Sequence, residues 1–482
     1  MPASVPARIR LGENPDSASP VSDSPPALLV DLYELTMARS YVAEGIAESP
    51  ATFELFFRRL PPGWGYLLAA GLDDVLSYLA RLRFEPDELD WLEGTGLFDD
   101  ALLARLERLR FSGDVRAMPE GTAFFPHEPV LEVTGPLLEA QLVETVVLNL
   151  VHHQSLVAGK AARSVDVADG RRLVEFGLRR THGGEAGLKA ARSAWLAGFD
   201  STSNVLAGQR YGIPVAGTMA HSHVEAFEDE TAAFEAYVRS YPDGATLLVD
   251  TYDTVEGARR AARVARDLAA RGGRLAGVRL DSGDLLDLSH RVRRVLDDAG
   301  LPDVTIFASG GLGEEDVARL LADGAPIDGF GIGSKLGVSV DAPFLDMAYK
   351  LVSFDGRPVL KLSAGKATLP GSKQVWRRSE AGLFAGDVIA LAAEDGAPGA
   401  EPLLRPAMTG GERAETGTLE EARARAAAQR AALAPDHRRL DAAPYPVEVS
   451  SELDSLREVV GSRLRMRSGD AAQLDPTGGE GQ

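Results

Sequence analysis

His221 lies in Gly217-Thr218-Met219-Ala220-His221-Ser222-His223, between an apolar run at 213–217 and an acidic amphipathic segment at 224–237. A strand should give way to a helix there. An imidazole at such an end can act as base, acid or nucleophile near neutral pH. A lone histidine is more often a packed structural residue, so its meaning depends on what the other strand ends present. These carry Gly177-Leu178-Arg179-Arg180, Asp200-Ser201-Thr202-Ser203-Asn204, Asp250 with Tyr252, Arg279-Leu280-Asp281-Ser282-Gly283-Asp284, Ser309-Gly310-Gly311-Leu312-Gly313 and Gly331-Ile332-Gly333-Ser334-Lys335. The guanidiniums of Arg179, Arg180 and Arg279 suit bidentate capture of carboxylate or phosphate. Glycines between strand and helix let backbone N–H groups approach a phosphate, and the helix dipole favours the anion. Asp281 and Asp284 suit ribose hydroxyls or Mg²⁺, a hard cation that prefers oxygen ligands. Each feature alone is ordinary: Gly-Gly makes a turn, and Asp-Ser-Gly-Asp caps a helix. Together they describe a site for a phosphorylated sugar, with His221, beside the Thr218 hydroxyl, as nucleophile, phosphate ligand or general base.

The elements that must position these residues follow from the patterning. From residue 173 onward, short β-type runs at 174–177, 199–201, 213–217, 246–250, 275–280, 304–308 and 327–332 alternate with helical segments such as 254–271, 285–299 and 314–322. A repeat of roughly 30 residues is the rhythm of βα units. Seven units predict an irregular β/α barrel, whose active site gathers at the carboxyl ends of the strands. Upstream, Asp31 is placed to cap a helix carrying Tyr33 in its first turn, a strand is expected at 51–58, and a long helix at 137–165 holds His152 and His153. Adjacent helical positions point about 100° apart, so that pair reads as structural rather than metal-binding. Downstream, β-type runs at 352–374 should pack against the N-terminal region to complete a second, α+β domain. The predicted organisation is a disordered leader (1–26), an N-terminal α+β region (27–135), the barrel (136–350), a C-terminal segment packing with the N-terminal region (351–465) and a disordered tail (466–482).

A chain of 482 residues with 45% hydrophobic content suggests two or more cores. Its 71 acidic and 51 basic residues leave a formal charge of -20, which argues against nucleic acid and anionic membranes as partners. There is no cysteine, hence no disulfide and no thiolate nucleophile. No apolar run reaches the roughly 18 residues of a membrane span, and the start lacks a signal-peptide pattern. A cytoplasmic protein is expected.

Several unrelated segments, in order, resemble the nicotinate phosphoribosyltransferase family. They are Asp31-Leu32-Tyr33-Glu34-Leu35-Thr36-Met37, Glu175-Phe176-Gly177-Leu178-Arg179-Arg180, Gly198-Phe199-Asp200-Ser201-Thr202-Ser203-Asn204, Gly217-Thr218-Met219-Ala220-His221-Ser222, Val278-Arg279-Leu280-Asp281-Ser282-Gly283-Asp284, Gly329-Phe330-Gly331-Ile332-Gly333 and Thr368-Leu369-Pro370-Gly371-Ser372-Lys373. The resemblance spans residues 28–456 and implies an ATP-coupled enzyme of NAD salvage. Such an enzyme joins nicotinate to 5-phosphoribosyl 1-diphosphate, giving nicotinate mononucleotide and diphosphate, with Mg²⁺ as cofactor and ATP as co-substrate. It further implies that His221 is phosphorylated by ATP, and that Tyr33 stacks on the pyridine ring from the partner subunit of a homodimer. Thr218, Arg279 and Arg179 are implied as nicotinate contacts. Arg279, Gly310, Gly311, Gly333 and Ser334 are implied for the sugar diphosphate, and Ser334 stands where relatives often have Thr. Asp281 is expected as the catalytic carboxylate on ribose or Mg²⁺. The related nicotinamide enzyme has an Asp near the position of Ser203, and its absence here favours an anionic ring. Two other readings share the architecture: a quinolinate phosphoribosyltransferase-like enzyme, which needs no ATP, and a catalytically silent relative.

Overall fold

The computed structural model describes residues 26–362 and 368–467. Apart from Pro26, Met466 and Arg467, the expected leader and tail lie outside the described residues. Among the described residues, one compact unit spans residues 157–343, and the other joins residues 26–156 with those from 344 to 467. The sequence predicts divisions at 135/136 and 350/351; the units divide at 156/157 and 343/344.

The unit at 157–343 is built on a six-stranded sheet in the order Ser201–Thr202, Arg172–Glu175, Gly329–Ile332, Thr305–Ala308, Arg274–Leu280, Asp243–Leu248. All its ladders are parallel. Neighbours in the sheet are successive in the chain except where the first strand in sequence, Arg172–Glu175, pairs directly with the last, Gly329–Ile332. The sheet therefore curls as a barrel that stays open at one seam. Parallel strands covered on both faces read as continuous apolar runs. Accordingly Leu173, Val174, Leu247, Val278, Leu280, Ile306, Phe330 and Ile332 are all buried. The helix Thr254–Ala269 covers the sheet with a face of small residues, Ala258, Ala261, Ala262 and Ala265. Its Gly257 approaches so closely that a Cβ would lie 2.1 Å from the Val249 carbonyl oxygen.

The third expected strand does not form. Residues 213–217 make one bridge, Thr202 to Val215, rather than a ladder. Gly212 turns at φ 69°, Pro214 has no N–H to give, and Val215 is 56% exposed, so little backbone pairing or burial holds the run in a sheet. The seam lies between this run and Asp243–Leu248, and the chain crossing it carries His221.

In the other unit an antiparallel sheet of seven strands interleaves the two ends of the chain: Pro50–Phe57 pairs with Met347–Phe354 on one side and Leu131–Pro136 on the other. The second domain is thus assembled from N- and C-terminal segments, as expected. The long helix predicted at 137–165 is two, Leu137–Leu142 and Glu144–Val167. His152 is structural: its Nε2 accepts the Leu345 N–H at 2.8 Å. The Thr368–Lys373 motif is also structural. The Lys373 ammonium donates to the carbonyls of Leu369 and Gly371 and pairs with Glu54 at 2.9 Å, fastening this segment to the Pro50–Phe57 strand. Asp31 takes the N-cap position of helix Leu32–Ala43 but makes no cap bond; its carboxylate accepts the Thr145 hydroxyl at 3.0 Å instead.

Candidate active site

The strand Arg274–Leu280 delivers Arg279 and, one residue past its end, Asp281. Arg279 donates Nε–H to the Ser309 hydroxyl (2.8 Å), Nη1–H to the Thr218 hydroxyl (2.7 Å) and the Met219 carbonyl (3.2 Å), and Nη2–H to Asp281 Oδ1 (2.8 Å). One face of the guanidinium lies 5.7 Å from the Phe176 ring centroid. Phe176 has room because Gly331 lacks a Cβ, which would come within 2.5 Å of the ring. Asp281 Oδ1 also accepts the Ser309 hydroxyl. Burial disfavours charge on Asp281. The hydrogen bonds from Arg279 and Ser309 and the charges of Arg279 and His221 outweigh it and hold the carboxyl below its usual range.

His221 begins the short helix His221–Glu225 beyond the seam. Its Nδ1 lies 3.2 Å from the Thr251 hydroxyl and its Nε2 lies 3.8 Å from Asp281 Oδ2. One nitrogen is engaged by a hydroxyl and the other faces a carboxylate, which is the arrangement that orients an imidazole for chemistry at Nε2. Asp250 holds the turn that carries Asp281, accepting the Asp281 N–H (2.8 Å) and the Ser282 hydroxyl (2.6 Å) on Oδ2.

The two glycine turns follow adjacent strands, Thr305–Ala308 and Gly329–Ile332. They are tied together by Lys335, whose ammonium donates to Asp316 at 2.6 Å. Gly310 and Gly311 have φ of 100° and 76°. Gly333 packs back to back with the first strand end, since a Cβ there would lie 2.8 Å from the Phe176 carbonyl oxygen. Ser334 starts the one-turn helix Ser334–Gly337. Arg179 sits in the 3₁₀ turn Leu178–Arg180, exposed to solvent. Glu175, at the end of the first strand, is buried. Burial pushes its carboxyl up, while the Thr202 hydroxyl (2.6 Å) and the Gly177 N–H partly offset that.

The structure thus brings together Thr218, His221, Arg279 and Asp281, with Gly310 against the Asp281 backbone. It separates other residues that the sequence grouped. Asp284 is a helix cap, its Oδ1 accepting the N–H groups of Leu286 and Asp287 at 3.1 and 3.2 Å. Asp200 is drawn to the amino end of the sheet, where its Oδ2 accepts the Leu173 N–H at 2.8 Å, so it does not stand beside Ser203 at the carboxyl ends. Tyr33 belongs to the other unit, in the first turn of helix Leu32–Ala43, and is 45% exposed. Burial, then the charges of Glu144 and Glu34, push its phenol well above the ordinary range. Sequence reasoning assigned no role to Ser309, Phe176 or Thr251. Each adjoins a motif residue, which is the signal that marks it.

Three segments match nicotinate phosphoribosyltransferase family descriptions: the N-terminal domain over residues 28–152, the family itself over 171–368, and the C-terminal domain over 397–457. The chain belongs to the nicotinate phosphoribosyltransferase family. Within that family it is 50% identical over 454 residues to a nicotinate phosphoribosyltransferase of Mycobacterium tuberculosis, covering 93% of this chain and 96% of the relative. It is 38% identical to the Homo sapiens nicotinate phosphoribosyltransferase, covering 89% and 95%. The crystal structure of human nicotinic acid phosphoribosyltransferase superposes with a TM-score of 0.80 at 36% identity, covering 89% of this chain and 99% of that one. Nicotinate-nucleotide pyrophosphorylase from Pyrococcus furiosus gives 0.68 at 27% identity, covering 84% and 95%. The seam, the Arg279–Asp281 pair and the two glycine turns are therefore features of a nicotinate phosphoribosyltransferase-family enzyme.

Proposed function

We propose that this enzyme joins nicotinate to 5-phosphoribosyl 1-diphosphate, giving nicotinate mononucleotide and diphosphate, and couples the reaction to ATP hydrolysis through His221. The observation that carries the reading is the convergence of Arg279, Asp281 and Thr218 beside His221, in a chain of this family. The pyridine nitrogen is unprotonated and needs no general base. It attacks the anomeric carbon as the C–O bond to diphosphate breaks, and the chain supplies orientation and fixed charge. Arg279 and Arg179 meet the anions of ring and sugar diphosphate, and the turns at Gly310-Gly311 and Gly333-Ser334 receive phosphate through backbone N–H groups. Tyr33 stacks on the pyridine ring of the second subunit in a cytoplasmic homodimer.

In the ATP half-reaction His221 Nε2 attacks the γ-phosphorus: the N–P bond forms, the bond to the bridging oxygen breaks, and ADP leaves. Thr251 on Nδ1 keeps Nε2 forward. Among the described residues no cluster of three acidic or histidine side chains forms a metal cage. Mg²⁺ usually binds through one or two carboxylates plus substrate phosphates. Asp281 fits that role, because Oδ1 is taken up by Arg279 and Ser309 while Oδ2 has His221 as its neighbour. Bound Mg²⁺ supplies charge neutralisation for the leaving diphosphate. Among the described residues no helix is long and apolar enough to cross a membrane.

The test is diphosphate and ADP release by the purified enzyme with sugar diphosphate and Mg²⁺, given nicotinate, nicotinamide or quinolinate, each with and without ATP. Nicotinate-dependent diphosphate release that ATP strengthens, with ADP formed, is expected. Turnover of quinolinate without ATP overturns the reading, as does the absence of turnover with every ring.

A further inference from the structure

Ser309 is 2% exposed and its hydroxyl bridges two charged side chains. It accepts Arg279 Nε–H at 2.8 Å and donates its own proton to Asp281 Oδ1, the same oxygen that receives Arg279 Nη2–H at 2.8 Å. A hydroxyl can do both because it has one proton and two lone pairs. The three side chains close a ring in which Arg279 and Asp281 touch at one edge only. Arginine and carboxylate otherwise favour a fork in which two N–H groups meet two oxygens. Ser309 prevents that collapse by occupying Nε and by sharing Oδ1. Two consequences follow. Arg279 Nη1 stays aimed at Thr218 and Met219, and Asp281 Oδ2 stays turned towards His221 Nε2, 3.8 Å away. Phe176, under one face of the guanidinium, fixes its tilt, while Ser309 fixes its rotation in the plane.

We propose that Ser309 is a positioning residue for phosphoribosyl transfer, limiting the Arg279–Asp281 ion pair to the single Nη2–Oδ1 contact so that Nη1 stays on Thr218 and Oδ2 stays turned towards His221. The inference rests on the functional reading above and deepens it. An alanine fills almost the same space but leaves Nε–H without an acceptor and frees Asp281 to close a second, bidentate contact with Arg279. Arg279 then turns away from Thr218 and Met219, and His221 loses its facing carboxylate.

The experiment compares full-length Ser309→Ala and Ser309→Thr with the parent, measuring KM for nicotinate and for 5-phosphoribosyl 1-diphosphate, kcat, the ratio of ADP to diphosphate formed, and thermal stability. Ser309→Ala should raise at least one substrate KM about tenfold, the factor expected for a lost hydrogen bond to a charged group, and should change the ADP ratio while the melting temperature stays near the parent's. Ser309→Thr, which keeps the hydroxyl, should recover most of the loss. Unchanged KM values and ADP ratio in Ser309→Ala overturn the role, as does an equal fall in kcat alone for both variants, the mark of simple packing. If the alanine protein does not fold, the near-isosteric Ser309→Cys gives the same test, raised KM supporting the role and parental KM overturning it. A parent without nicotinate turnover removes the functional reading itself, an outcome distinct from a working parent whose Ser309 variants match it.

Discussion

Gly310 rests against the backbone of Asp281 so closely that a Cβ would lie 1.9 Å from the Asp281 carbonyl oxygen. The glycine turn and the Asp281 turn are therefore one packed unit, and the glycine is required for the approach as much as for its φ of 100°. Gly311 has φ 76° but open space where a Cβ would be. The two alanine substitutions separate strain from collision. Gly311→Ala should cost about 1–2 kcal/mol from backbone conformation alone. Gly310→Ala must add displacement of the Asp281 turn, and should lower both the melting temperature and kcat/KM well beyond Gly311→Ala. Equal effects in calorimetry and turnover would show that the close approach is unimportant.

On the role proposed for His221, Thr251 bears on ATP coupling rather than sugar transfer, because its hydroxyl lies 3.2 Å from His221 Nδ1. Losing one such hydrogen bond is worth about 1 kcal/mol, or roughly fivefold in rate. Thr251→Val should therefore slow ADP formation by about that factor and leave ATP-independent diphosphate release near the parent's. His221→Ala should abolish ADP formation while retaining slow transfer. Full ATP stimulation in His221→Ala refutes the phosphohistidine role.

For Tyr33 the ring and the hydroxyl have different duties. Burial, then Glu144 and Glu34 in its own unit, push the phenol up, and the residue is 45% exposed; stacking is the proposed duty of the ring. Tyr33→Ala should weaken nicotinate binding by about 1–2 kcal/mol, the scale of a lost aromatic contact. Tyr33→Phe should keep most of that affinity. Calorimetric titration of nicotinate distinguishes the two, and unchanged binding in Tyr33→Ala rejects stacking.

Glu34 predicts a pH dependence of stability. Burial pushes its carboxyl up to about 8, against the Thr145 hydrogen bond that pulls it down and with Glu144 and Asp31 raising it further. Its Oε2 has no hydrogen-bond partner among the described residues. The folded chain thus holds a proton that the unfolded chain releases near the ordinary carboxylate value. Stability from this group is intact at acid pH and declines as pH rises from that value to about 8. Glu34→Gln should flatten the decline, raising the melting temperature more at pH above 8 than in mildly acid buffer. A shift of the same size at both ends of the range would exclude Glu34 as its source.

Much of this molecule is legible along the chain. The βα rhythm and the apolar runs of Arg274–Leu280 and Gly329–Ile332 announce parallel strands, and the polar residues following them mark the carboxyl ends. Those signals are local: burial on both faces requires apolar strands, and tight strand-to-helix turns require glycine. The run at 213–217 misleads for the same reason. It is apolar enough for a strand, but Gly212 and Pro214 leave it a single bridge.

What sequence determined by itself was the family, the interleaved second domain and the kinds of side chain at each strand end, because these depend on residue type and short-range period. Only the tertiary structure decided which of those side chains meet. Asp281 and Asp284 are three residues apart, yet one joins Arg279 while the other caps a helix. Asp200 and Ser203 are equally close, yet Asp200 is bound at the amino end of the sheet to Leu173. Thr218, His221, Thr251, Arg279 and Ser309 come from four separate segments and touch only because the sheet curls and leaves its seam beside them. Contacts across that curl depend on the closure of the whole sheet, and no local pattern encodes it.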